Sequence, residues 1–214
     1  MWIRRRFSIG GSIERLVKRL RVACTVPLYP LAPEHQRQAD IAFAGETYRR
    51  LVAEHGAQKL LVMGDSAAGG LALAMLQQAK DAPAGLMLNA PWLDASVSDP
   101  SQVEIERQEW LLNRLVLRTW GTWWAGERGL SDPLVSPLSG DLCLPPTLMF
   151  CGSADILVAD ARRRASAAAA KVKYVEEAGL MHVYPLIPFF PEARRAWREI
   201  ERFANSVLAP DQAR

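Results

Sequence analysis

"LLVMGDSAAGGLALAML", residues 60–76, changes character at a single point. A short apolar run stops at Gly64-Asp65-Ser66, and everything after it is small or helix-forming. That grammar reads as a buried strand turning directly into a helix. Working outward, apolar runs of strand length alternate with stretches of helical period, the pattern of a mostly parallel sheet flanked by helices. The expected strands are 21–28, 59–63, 85–89, 147–151 and 172–176. The expected helices are 12–20, 38–55, 67–80, 158–170 and 191–208, the last opening on Pro191, which suits a first-turn position whose N–H has no partner anyway. The interval 94–140 breaks the alternation: Trp110, Trp120, Trp123 and Trp124 lie there between Pro- and Ser-rich segments, as a helical, cap-like insertion at about 95–131. The expectation is one α/β domain over residues 1–214.

Composition agrees with an ordinary globular chain: 214 residues, 50% hydrophobic and 23% charged. The net charge of +3 is partly local, since Arg4, Arg5, Arg6, Arg15, Lys18, Arg19 and Arg21 crowd the amino end. Without aromatic interleaving or a binding module, that cluster reads as a solvated helix face rather than a nucleic-acid site. Cys24, Cys143 and Cys151 are odd in number and lack metal-type spacing, which argues against a disulfide framework or a zinc site and for a reducing compartment. No apolar core follows the first arginines, and no run of about 18 apolar residues occurs, so the expectation is a cytoplasmic protein with no membrane span.

A strand ending in Gly-x-Ser-x-small and passing straight into a helix holds its serine in a strained backbone, with the hydroxyl projecting from the carboxyl edge of the sheet. Gly64, Ala67, Ala68, Gly69 and Gly70 supply the small side chains such a crossing demands, with Asp65 beside the serine. The N–H of Ala67, at the positive end of the helix, faces an oxyanion formed at Ser66. The same string also serves as a plain helix N-cap. A nucleophilic serine requires a histidine to take its proton and an acid to orient the histidine. Asp155 follows the strand at 147–151, and His182 follows the strand at 172–176, so both stand in the required order at strand ends.

These residues sit in longer motifs. "YPLAPEH" (29–35), "GDSAAGGLALA" (64–74), "APWLD" (90–94) and "DPLVSPLSGDLCLPPTLMFCGSADIL" (132–157) resemble those of the hormone-sensitive-lipase-like branch of the α/β-hydrolase esterases, and the likeness continues through "GLMHVY" and "PEARRA". The resemblance implies an α/β-hydrolase fold with Ser66 as nucleophile, Asp155 as acid and His182 as base. It implies a small-molecule ester of short to medium chain length as substrate, no metal or organic cofactor, and a homodimer formed through the last strand and helix. Glu34 and His35 match positions that tie a loop near the site. The tryptophans at 110–124 match cap helices, as pocket lining or as core filling.

Two departures stand out. Ala68 replaces the second glycine of the elbow, and "MWIRRR" stands before "FSIGGS" where the family carries HGGG, the loop that supplies further oxyanion donors. The expectation is thus an amino-terminally truncated form of the fold, with Ala67 as the identifiable oxyanion donor and Gly10 and Gly11 as the residues able to bend a substitute loop. The family's strand before HGGG would lie between 21–28 and the elbow strand, so either those two pair directly or the sheet carries a gap. Beside the esterase reading stands a weakly active or inactive hydrolase fold that binds acyl ligands or a partner.

Overall fold

The computed structural model describes residues 9–140 and 143–208. Arg4, Arg5, Arg6 and the "MWIRRR" segment lie outside the described residues. Four strands form a parallel sheet in the order β1 (Leu61–Asp65), β2 (Gly85–Asn89), β3 (Thr147–Gly152) and β4 (Val172–Glu177). The helices are α1 (Ile9–Leu20), α2 (Arg37–His55), α3 (Ala67–Leu76), α4 (Gln102–Ile105), α5 (Arg114–Ala125), α6 (Val158–Ala167) and α7 (Pro191–Leu208).

Alternation along the central strands explains the two layers. Leu86 and Leu88 of β2, with Met149 and Cys151 of β3, meet α3 and α6 on one face. Met87, Leu148 and Phe150 point the other way, onto Leu16 of α1 and Trp197 and Ile200 of α7. Strands buried on both faces read as continuous apolar runs, which is why β2 and β3 were visible in the sequence.

Several boundaries move for local reasons. The strand expected at 59 begins at Leu61, because Gly56, at φ 84°, closes α2 and a short 3₁₀ turn spans Ala57–Lys59. Helix α3 stops at Leu76, where Gln77 donates its side chain to the Pro133 carbonyl at 2.8 Å. Gly10 and Gly11 do not form a loop. They are the second and third residues of α1, whose apolar residues Ile13, Leu16, Val17 and Leu20 recur at helical spacing.

The segment 21–28 is not a strand. It runs without regular structure, with Val26 and Leu28 largely exposed, and it does not pair with β1. Among the described residues β1 is an edge of the sheet, so of the two arrangements the sequence left open, direct pairing is excluded. A strand exists only by its ladder, and 21–28 has no neighbour to bond.

Between β2 and β3 the chain leaves the sheet and builds α4 and α5, the expected insertion. It is pinned at its root by Asp94, whose carboxylate collects the N–H and hydroxyl of both Ser96 and Ser98 at 2.5–3.2 Å. Burial pushes that carboxyl up, and these four donors outweigh it, holding it below the ordinary carboxylate range. The basic residues of α1 are engaged within the fold: Arg15 lies 4.4 Å over the Trp197 ring, Lys18 bonds Glu14, and Arg19 bonds Glu201. Among the described residues no helix is long and apolar enough to cross a membrane.

Candidate active site

Parallel strands deliver all their carboxyl ends to one edge of a sheet, and the three residues singled out lie just past the ends of β1, β3 and β4 there. Ser66 adopts φ 53° and ψ −120°, a conformation L-residues seldom take. Its own backbone fixes it: the Ser66 N–H donates to Asn89 O, while Ser66 O accepts from Gly69 N and Trp92 N at 3.0 and 2.9 Å.

Small residues are required around it. A Cβ at Gly64 would stand 2.6 Å from Ala68 O, at Gly69 2.8 Å from Pro91 Cβ, and at Gly70 2.3 Å from Trp92 O. Ala68 keeps a negative φ, and its close approach to Gly64 is made by its backbone, so the extra methyl is accommodated. The Ala67 N–H opens α3, where helical geometry leaves the first amides without an intrahelical partner.

Asp155 is fully buried and His182 nearly so. His182 Nδ1 lies 2.8 Å from Asp155 Oδ2, and Asp155 Oδ1 accepts from Leu157 N–H at 2.9 Å. Because a carboxylate only accepts, it is Nδ1 that donates in this pair. Asp65, beside the serine, has its carboxyl raised by burial. Ser66 Oγ makes no hydrogen bond to His182 in this structure; the structure joins acid and base and brings the serine to the same sheet edge.

The loops that carry Asp155 and His182 are laced together. Ser153 N donates to Glu177 O, Ala154 N to Leu180 O, and Gly179 N to Ser153 Oγ, at 2.8–3.0 Å. A Cβ at Gly152 would stand 2.0 Å from Leu180 O, so only glycine lets the two loops lie this close.

Residues 7–186 match the family described as alpha/beta hydrolase fold. The chain belongs to that family. Among curated proteins, this α/β-hydrolase is similar to an esterase of Acinetobacter venetianus, 34% identical over 190 residues, covering 84% of this chain and 63% of that protein. It is also similar to an acetyl-hydrolase of Streptomyces hygroscopicus, 35% identical over 179 residues, covering 78% and 60% respectively. Among solved structures, the HSL homolog EstE7 from a metagenome library superposes with a TM-score of 0.80 at 28% identity, covering 85% of this chain and 66% of that one. The chain thus spans somewhat under two thirds of the length of these relatives.

The α/β-hydrolase frame also brings in residues that the sequence pattern did not single out. Cys151 Sγ approaches Asp155 Oδ2 at 3.5 Å, and burial together with that carboxylate pushes its thiol well above the ordinary value, so it stays a donor. From the insertion, Glu109 Oε2 accepts the Ile156 N–H at 3.1 Å, and Gln102 Nε2 donates to the Ile156 carbonyl at 3.2 Å. Both polar groups of the residue after Asp155 are therefore held by cap side chains.

Above Ala67 opens a cavity of about 420 Å³, walled by Tyr29, Trp92, Trp120, Trp123 and Trp124 among others. Three of the four insertion tryptophans thus line a pocket, while Trp110 projects outward, 77% exposed. The "YPLAPEH" segment contributes Tyr29, Leu31 and Ala32 to the same wall. Its Glu34 and His35 side chains are exposed, and the turn is tied by backbone, His35 N–H to Leu31 O at 3.0 Å.

Proposed function

We propose that this chain hydrolyses carboxylic esters of short to medium chain length through an acyl-enzyme on Ser66. The observation that carries this reading is the buried 2.8 Å bond between His182 Nδ1 and Asp155 Oδ2, at the sheet edge where the strained Ser66 emerges. Relatives named esterase and acetyl-hydrolase support the same chemistry.

In this reading Ser66 Oγ attacks the ester carbonyl carbon and passes its proton to His182 Nε2. Asp155 holds the imidazole in the productive tautomer and stabilises the imidazolium. Negative charge collects on the carbonyl oxygen, where the Ala67 N–H and the amino end of α3 receive it. The intermediate collapses, the imidazolium gives its proton to the departing alkoxide, and an alcohol leaves. Water, deprotonated by His182, then attacks the acyl-serine, and as the second intermediate collapses the imidazolium returns the proton to Ser66 Oγ and the carboxylic acid leaves. The Ser66–His182 contact that this requires tightens when substrate binds. The apolar cavity beside Ala67 takes the acyl chain.

The test is hydrolysis of p-nitrophenyl acetate, butyrate and octanoate by this chain and by Ser66→Ala, together with fluorophosphonate labelling. Turnover that vanishes in Ser66→Ala, with label on Ser66 of the parent, is the expected result. No turnover or labelling, with ligand-induced stabilisation that survives Ser66→Ala, would instead assign acyl binding without catalysis.

A further inference from the structure

Among the described residues lining the 420 Å³ cavity, Asp40 is the one that carries a carboxyl. It sits in the first turn of α2, is 2% exposed, and stands among lining residues that are otherwise tryptophan, alanine, leucine, valine, glycine and Tyr29. Its Oδ2 accepts the Trp124 Nε1 proton at 2.6 Å, while its Oδ1 is buried with no hydrogen-bond partner among the described residues. A carboxylate offers about four acceptor positions, so one bond leaves most of its capacity unused. Leaving such a group buried and unsatisfied is unfavourable, and buried polar groups without partners are rare enough to need a reason.

The position at the amino end of α2 explains how a carboxylate is tolerated there, because the helix dipole favours negative charge in the first turn. It does not explain why a carboxyl stands among the residues that line the pocket. A plain alkyl chain filling this cavity would displace water and leave Asp40 with Trp124 alone. A chain bearing a hydrogen-bond donor would satisfy it.

We propose that Asp40 is a specificity residue that selects esters whose acyl portion carries a hydrogen-bond donor, a hydroxyl or an ammonium group, over esters of plain alkyl acids. The acyl half is the one concerned, because Ala67 and Gly70 of the cavity wall adjoin the serine to which the acyl group would be bonded. The proposal rests on the esterase reading for its substrate, and on the cavity and the underused carboxyl for its selectivity.

The experiment separates the two by reading binding without turnover. Calorimetry on the Ser66→Ala protein compares methyl butanoate, methyl 3-hydroxybutanoate and methyl 3-aminobutanoate. A donor-bearing ester is expected to bind about tenfold tighter or more than methyl butanoate, the range of a hydrogen bond to a charged group. A preference for the hydroxy ester that persists in 0.5 M salt names a neutral donor; a preference for the amino ester that weakens with salt names a cation. In Asp40→Asn on the same background, the amide keeps its oxygen on Trp124 and presents NH₂ to the pocket, so the preference is expected to disappear. Equal affinity for all three esters in the Ser66→Ala protein overturns the proposal, whether or not the Asn variant folds. A preference that survives in folded Asp40→Asn overturns it too. Failure of the parent chain to hydrolyse p-nitrophenyl butyrate would sink the esterase reading while leaving this binding comparison intact.

Discussion

Ser66 holds a strained backbone conformation. A non-glycine residue at φ 53° is disfavoured by roughly 1–3 kcal/mol and persists because Asn89, Gly69 and Trp92 fix its backbone. Ser66→Ala and Ser66→Gly both remove the hydroxyl, so both are expected to lower ester turnover by about 10⁴-fold or more. Only the glycine variant relieves the backbone, and thermal or urea unfolding should find it more stable than Ser66→Ala by about 1 kcal/mol. Equal stability of the two would mean the elbow is unstrained. Gly152 makes the opposite case. Gly152→Ala places a methyl against the Leu180 carbonyl, a backbone atom that cannot swing aside, and Leu180 lies two residues before His182. The expected result is a kcat on p-nitrophenyl butyrate lowered about 100-fold, as a misplacement of about 1 Å produces, with slower fluorophosphonate labelling of Ser66. Unchanged labelling would show that the His182 loop is not held by this contact.

At the scale of elements, the insertion is bonded to the loop after β3. Glu109 gathers three backbone donors, Leu111 and Leu112 on one oxygen and Ile156 on the other, and so joins the insertion to the acid loop. Glu109→Ala is expected to lose about 1–3 kcal/mol in urea unfolding by orphaning these amides, and to lower kcat more than it raises KM, because it loosens Asp155 rather than the pocket. Glu109→Gln retains an acceptor and should recover part of both effects; identical losses in the two variants would sink the assignment. This link was invisible in the sequence for a physical reason. Its partners are 47 residues apart, and a single glutamate in a polar stretch carries no periodicity. Strands β2 and β3 and helix α7 were legible because burial on both faces, or a Pro start with helical apolar spacing, marks them locally. Segment 21–28 has the composition of a strand, but composition does not supply a neighbour, and without one it runs as an irregular, exposed segment.

Across the whole molecule, chain order alone implied that Ser66, Asp155 and His182 share one edge of the sheet, because a parallel sheet turns any residue just past a strand into a resident of one edge. The pocket did not follow from order, since its walls come from residues 29 to 135 and depend on how the insertion folds back. The same folding back buries a charge that makes stability depend on pH. Asp160 of α6 is fully buried, shares the Gln102 amide with Ile156, and has Oδ1 without a hydrogen bond. Burial, with the neighbouring Asp94 and Asp99 carboxylates adding to it and Arg163 opposing, raises its pKa from 3.8 to about 7. The folded protein therefore holds a proton that the unfolded chain has already released between those values, so this group's contribution to stability falls as pH rises from about 4 to about 7 and is constant on either side. Three pK units correspond to at most roughly 4 kcal/mol. Asp160→Asn mimics the protonated form and keeps a group able to bond Gln102. Its stability relative to the parent, measured by urea unfolding from pH 4 to pH 8.5, is expected to climb through that window and level off above about pH 7.5. A difference that stays flat across the range would mean Asp160 is ionised in the folded protein throughout, with Arg163, 3.9 Å away, neutralising it.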